Sequence, residues 1–144
     1  MRFPDIELAL MEWLRATFDY LADPPGRSWW HVGGQSPGAA EAGGLSDRLP
    51  FVTVERIGGG DNFFTDFPMV EIVSLGRTRQ EAYAIADDIR TELHRPLLKL
   101  GGIVIDTVNT NTAPRRYPVE ADRTFASAAT YELSARRAPR RSSP

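Results

Sequence analysis

Two strand-like runs lead straight into an amphipathic helix, and this order constrains the fold more than any other feature of the chain. The runs are Phe51-Val-Thr-Val-Glu-Arg-Ile57 and Phe67-Pro-Met-Val-Glu-Ile-Val-Ser-Leu75. β-Branched and aromatic residues dominate both, as a pleated, packed segment requires. Apolar side chains fall on both faces of each run, so both strands are expected inside a sheet, partly covered on each side. The helix that follows begins at Thr78-Arg-Gln-Glu81. That spacing is a capping box: the threonine hydroxyl accepts the N–H of the third helical residue, and the glutamate reaches back to the cap. Ala82, Ile85, Ala86, Ile89 and Leu93 then form one apolar stripe, and Pro96 with Gly101-Gly102 ends the element.

The rest of the chain fills in around this unit. Ile6, Leu10, Leu14, Phe18 and Leu21 recur at helical spacing and predict a helix over 5–22, stopped by Asp23-Pro-Pro-Gly26. Residues 24–49 form a long loop rich in Gly, Ala, Ser and Pro that nevertheless contains Trp29-Trp30-His31. Such a loop is uncommon in a compact domain unless it has a job. The paired tryptophans either lie in a short strand across their own domain or anchor a neighbouring subunit, where Trp is an enriched residue. The loop 58–66 is too long for a tight turn, and its Phe63-Phe64 pair either folds back on the core or faces a partner. Residues 103–108 predict a third strand and 124–135 a fourth, in which Phe125, Ala129, Tyr131 and Leu133 mark a packed face. The connection 109–122 holds Pro114-Arg-Arg-Tyr-Pro118. The expected fold is therefore α+β: one domain over 1–135, a mixed or antiparallel four-stranded sheet packed by two helices in the order αββαββ. Residues 136–144 read as a basic C-terminal tail.

At 144 residues, with 42% hydrophobic and 25% charged residues, the chain suits one globular domain with a real core. It has no cysteine, which rules out disulfides, a thiol nucleophile and cysteine metal ligands. Asp5, Glu7, Glu12 and Arg15 interrupt any apolar run near the start, so no signal peptide is expected. No stretch reaches the ~18 apolar residues of a membrane span, and a soluble protein without membrane contact is expected. Residues 1–114 carry 10 basic against 16 acidic residues, whereas 115–144 carry 7 arginines against 3 acids. Opposite charge on two parts of one small molecule favours head-to-tail contact between copies or a basic end beside an acidic partner; a solvated surface is the plain alternative.

Chemistry-bearing constellations are not evident. The two histidines, His31 and His94, lack companions at metal-ligand spacing, and His94 near a helix end is explained by the helix dipole. Asp87 and Asp88 are adjacent on a helix, point in different directions and read as a solvated face. Gly58-Gly-Gly60 lacks the Lys-Ser/Thr of a phosphate-binding loop, and Ser36 and Ser46 stand in no nucleophile-elbow context. No enzyme activity, cofactor or metal is expected. Arg115, Arg116, Arg136, Arg137, Arg140 and Arg141 could neutralise phosphates and Tyr117 could stack on a base, but the sequence pI of ≈ 5.7 argues against a dedicated nucleic-acid reader.

The run Leu49-Pro-Phe-Val-Thr-Val-Glu-Arg-Ile-Gly-Gly59 resembles the opening strand of the tail terminator proteins of long-tailed bacteriophages. The likeness continues through Met69-Val-Glu-Ile-Val73, the helix Arg79-Gln-Glu-Ala-Tyr-Ala-Ile-Ala-Asp-Asp-Ile-Arg90, Arg116-Tyr117 and Ala129-Thr-Tyr-Glu-Leu-Ser-Ala-Arg136. The Trp29-Trp30 segment has no counterpart in it. The resemblance implies a virion structural protein, made in the host cytoplasm and placed in the neck. There it forms a six-membered homo-oligomeric ring on the head-proximal end of the tail tube. The implied partners are the tail tube protein and a neck or head-closure protein, with DNA met only in passage through the central channel. In that setting Trp29, Trp30, Phe63 and Phe64 are expected to supply apolar anchors. Arg115, Arg116, Tyr117, Arg136, Arg137, Arg140 and Arg141 are expected to orient partners or face the channel. Another neck protein, such as a head-closure or connector component, is the nearest alternative. A small Arg-rich nucleic-acid-binding accessory protein is the more distant one.

Overall fold

The computed structural model describes residues 5–21, 31–33, 49–62, 64–96, 98–118 and 124–137. Helix α1 (Ile6–Leu21) precedes strands β1 (His31–Gly33), β2 (Phe51–Asp61) and β3 (Asp66–Gly76). Helix α2 (Arg79–Leu93) leads to β4 (Lys99–Leu100), β5 (Ile103–Tyr117) and β6 (Phe125–Arg137). The strands form one curled, six-stranded sheet in the order β1-β2-β3-β6-β5-β4. β1 runs parallel to β2, and every other pair is antiparallel.

This corrects the four-stranded αββαββ sheet expected from the sequence. The two additional strands are His31–Gly33 and Lys99–Leu100. Segments of three and two residues are too short to show a periodicity of their own, and they exist only because a neighbouring strand offers its edge. The longer strands also outrun their apolar stretches. β5 continues through Asn109, Asn111 and Pro114 to Tyr117, held along that length by pairing with β6. The arginines expected in a connecting loop therefore stand on a strand.

The glycine run behaves likewise. Gly58, Gly59 and Gly60 pair with Met69, Pro68 and Phe67, after a register shift between Arg56 and Gly58. Gly59 sits at φ +100°, and a Cβ there would meet the Phe67 carbonyl oxygen at 2.0 Å. A bulge with a left-handed residue is a task for glycine. Between β2 and β3, Asn62 Oδ1 accepts the N–H groups of Phe64 (2.9 Å) and Thr65 (2.7 Å).

The core lies on both faces of the sheet. Ile6, Leu10, Leu14 and Phe18 from α1 and Ile85, Ile89 and Leu93 from α2 pack on Val52, Val54, Val70, Ile72, Tyr131 and Leu133. On the opposite face Leu49, Phe51, Val73, Leu75, Ala126 and Ala128 form a second cluster, joined by Tyr117. Half of the expected capping box is formed: Thr78 Oγ1 accepts the Glu81 N–H at 3.0 Å. The glutamate returns to the Arg77 N–H at 3.0 Å, one residue before the cap.

Candidate interface

The two sides of the sheet are finished differently. Beyond Thr53, where β1 stops pairing, the β2 edge is guarded by side chains. Glu7 Oε2 on α1 accepts the Arg56 N–H at 2.8 Å, and Arg56 Nε donates to the Gly58 carbonyl at 3.1 Å. On the other side β4 pairs only with Ile103 and Val104. The Leu98 carbonyl adds one bond, from the Ile105 N–H at 3.1 Å. From Asp106 to Tyr117 no strand among the described residues pairs with the outer edge of β5. Three register shifts and Pro114 interrupt its regularity. These devices discourage indiscriminate strand addition while leaving backbone groups accessible to a matched partner.

At the far end of this edge lies a groove of about 660 Å³ between the first turns of α2 and the ends of β5 and β6. Arg79 and Tyr83 line it from the helix, Pro114 to Pro118 from β5 and the residue after it, and Thr124 to Ser127 from the start of β6. Arg115 and Arg116 stand opposite Ala128 and Ser127 in the β5–β6 register. Successive strand residues alternate faces, so the two guanidinium groups flank the sheet from both sides. None of the ion pairs among the described residues uses Arg79, Arg115 or Arg116. Tyr83 (56% exposed) and Phe125 (43% exposed) present aromatic surface beside them. Beneath lies Ser127, whose buried hydroxyl has no hydrogen-bond partner among the described residues; the same holds for its cross-strand neighbour Ser74. Exposed aromatics with arginine are the composition of an interface centre.

The groove unites Arg115, Arg116 and Tyr117 with Arg79, Tyr83 and Phe125, three residues the sequence reading did not place at a site. Phe125 was expected on the packed face; it is the first residue of β6, where the sheet ends. A signal for Tyr83 was present, since it falls outside the apolar stripe of α2.

Other expected site residues lie elsewhere. Phe64 is exposed at the β2–β3 turn. Arg136 and Arg137 belong to β6 rather than to a tail, and Arg136 Nε is paired with Asp106 at 2.8 Å. Trp29, Trp30, Phe63, Arg140 and Arg141 lie outside the described residues. His94 caps the C-terminus of α2, with Nε2 2.7 Å from Thr110 Oγ1 and its ring edge-on to Tyr131.

Further along α2, Asp87 and Asp88 are exposed, as expected of a solvated face. The Asp88 carboxyl is held above its ordinary value by partial burial, then by the neighbouring charges of Asp87 and Glu92. Among the described residues no three His, Asp or Glu side chains are grouped to hold a metal ion, and no helix is long and apolar enough to cross a membrane. No model of a known protein family matches the chain, and no curated protein sequence matches it.

Proposed function

We propose that the protein is a structural component of a phage tail, a terminator whose copies form a ring on the head-proximal end of the tail tube. The ring stops tube growth and offers its other face to the neck, and DNA passes through its centre. Two lines support this reading: the resemblance over 49–136, and the unequal finish of the two sheet edges. The second carries it. A ring built from one kind of chain needs two different, complementary surfaces on every copy. Here Glu7 takes the Arg56 N–H on one edge, while among the described residues no strand pairs with the other edge over β5, which ends in a cationic, aromatic groove. Such a molecule is suited to contact a neighbour through one flank without pairing endlessly along both.

The test is assembly. Native mass spectrometry of the purified protein should reveal a closed species of several copies, six on this reading. Negative-stain images of the protein mixed with tail tubes should reveal a ring at one tube end. A protein that stays single at every concentration and leaves tubes undecorated is not a terminator.

A further inference from the structure

We infer that the groove between α2 and the β5–β6 end receives the acidic stretch of α2, Asp87 and Asp88, from a second copy of the chain. The inference rests on the self-assembly reading above and names the surfaces that meet. Arg79 and Arg116 bring two positive charges to the helix side of the groove, and Arg115 adds a third on the opposite face of the sheet end, with no carboxylate paired to them among the described residues. An occupant must therefore be anionic and rich in acceptor oxygens, which suits planar guanidinium groups. The attraction is assigned to the guanidinium groups and not to the α2 terminus, where Thr78 Oγ1 already accepts the Glu81 N–H.

The complement stands on the same helix. Asp87 and Asp88 are both exposed at consecutive positions of the helix. Partial burial, and then the neighbouring charges of Asp87 and Glu92, disfavour the charged Asp88 carboxylate in the isolated subunit, and an approaching guanidinium relieves this. Arg79 and Asp88 are nine positions apart, about 13 Å at the rise of an α-helix. A rigid helix keeps the two patches apart within one copy, so they meet only between copies. Nucleic acid is the less favoured occupant: the acids that continue along α2 would repel a polyanion laid across the groove, while they are what a second copy brings to it.

The experiment uses two charge-reversed chains, Arg115→Glu/Arg116→Glu and Asp87→Arg/Asp88→Arg, followed by native mass spectrometry and sedimentation velocity. Each alone should associate roughly tenfold more weakly or worse, as misplaced like charges do at a contact. Mixed together they should recover assembly as species containing both chains in equal number, because each reversed patch then faces its opposite. Circular dichroism melting checks that both remain folded. A second arm exploits the absence of cysteine: Arg116→Cys mixed with Asp88→Cys should form an intermolecular disulfide under mild oxidation.

Full assembly by either reversed chain alone, or folded chains that neither recover on mixing nor crosslink, overturns the inference and leaves the ring reading standing. A species that stops at two copies yet obeys the charge rules supports the contact and overturns the ring. A protein single under all conditions overturns both. Binding of a labelled single-stranded oligonucleotide at physiological salt, lost in Arg115→Glu/Arg116→Glu, overturns the inference by assigning the groove to nucleic acid.

Discussion

Glu7 on α1 accepts the backbone N–H of Arg56 on β2 at 2.8 Å, so a helix carboxylate occupies a position that another strand would otherwise fill. The contact joins residues 49 positions apart and closes the β2 edge where β1 has ended. Unguarded strand edges are templates for aggregation. Glu7→Ala should therefore do two things. It removes a hydrogen bond to a charged group, a loss of roughly 1.5–3 kcal/mol, readable as a lower urea midpoint. It also bares the Arg56 N–H, so light scattering on warming should begin earlier than for a surface control such as Glu12→Ala. Equal scattering in the two variants would mean that the edge is protected by something other than Glu7.

The same Arg56 holds Asp66 across the β2–β3 pair through two parallel bonds, Nη1–Oδ2 at 2.7 Å and Nη2–Oδ1 at 2.9 Å. The Asp66 side chain is 5% exposed and that of Arg56 34%. Deleting the arginine leaves a buried carboxylate without its counter-ion. A fully buried pair broken in this way costs about 3–5 kcal/mol; the partly wet arginine lowers the expectation for Arg56→Ala to about 2 kcal/mol. Arg56→Lys should recover only part, since an ammonium cannot form the planar fork. A double-mutant cycle with Asp66→Ala measures the coupling; additive losses would show that the two residues act separately.

Gly76 closes β3 and lies against the start of α2. A Cβ there would sit 2.8 Å from the Ala82 backbone nitrogen and 3.1 Å from Glu81 Cβ. Gly76→Ala should therefore force the first turn of α2 away from the sheet, with a larger loss of stability than Thr78→Ala, for which a cap loss of about 1 kcal/mol is expected. Because Arg79 and Tyr83 stand on that turn, the glycine variant should also weaken self-association beyond the effect of Thr78→Ala. Thermal melts and sedimentation velocity on both variants decide it.

These sites mark where the sequence was readable and where it was not. The Thr78 cap and the stripe from Ala82 to Leu93 are local patterns, and the structure contains both. Leu14, placed on a core face by helical spacing alone, is fully buried. By contrast, β4 and β1 owe their existence to a partner's edge, and β5 persists through Asn, Thr and Pro because β6 lies beside it. Such pairing leaves no periodic trace in the strand that receives it. The groove was half legible. Arg115, Arg116 and Tyr117 stand out as a cluster in the chain. Arg79 and Phe125, by contrast, join them only through the packing of α2 and the turn of the sheet.

Tyr131 links this buried architecture to pH. Its side chain is 1% exposed, on β6 beneath α2 and beside the His94 ring. Burial is the main cause that pushes its hydroxyl up to about 12, with Arg90 pulling the other way and Asp87 adding to the rise. In the unfolded chain the phenol loses its proton near its ordinary value of about 10. Between these values the unfolded state binds fewer protons than the folded one, so stability falls as pH rises. The contribution is fully present below about pH 10 and is lost through about pH 12, up to roughly 2–3 kcal/mol at 1.36 kcal/mol per unit. Tyr131→Phe keeps the ring and removes the proton, so its urea midpoint should decline less steeply over this window than that of the parent chain. Parallel curves for the two proteins would mean that the phenolate reaches water without unfolding, and that α2 does not seal the sheet at this point.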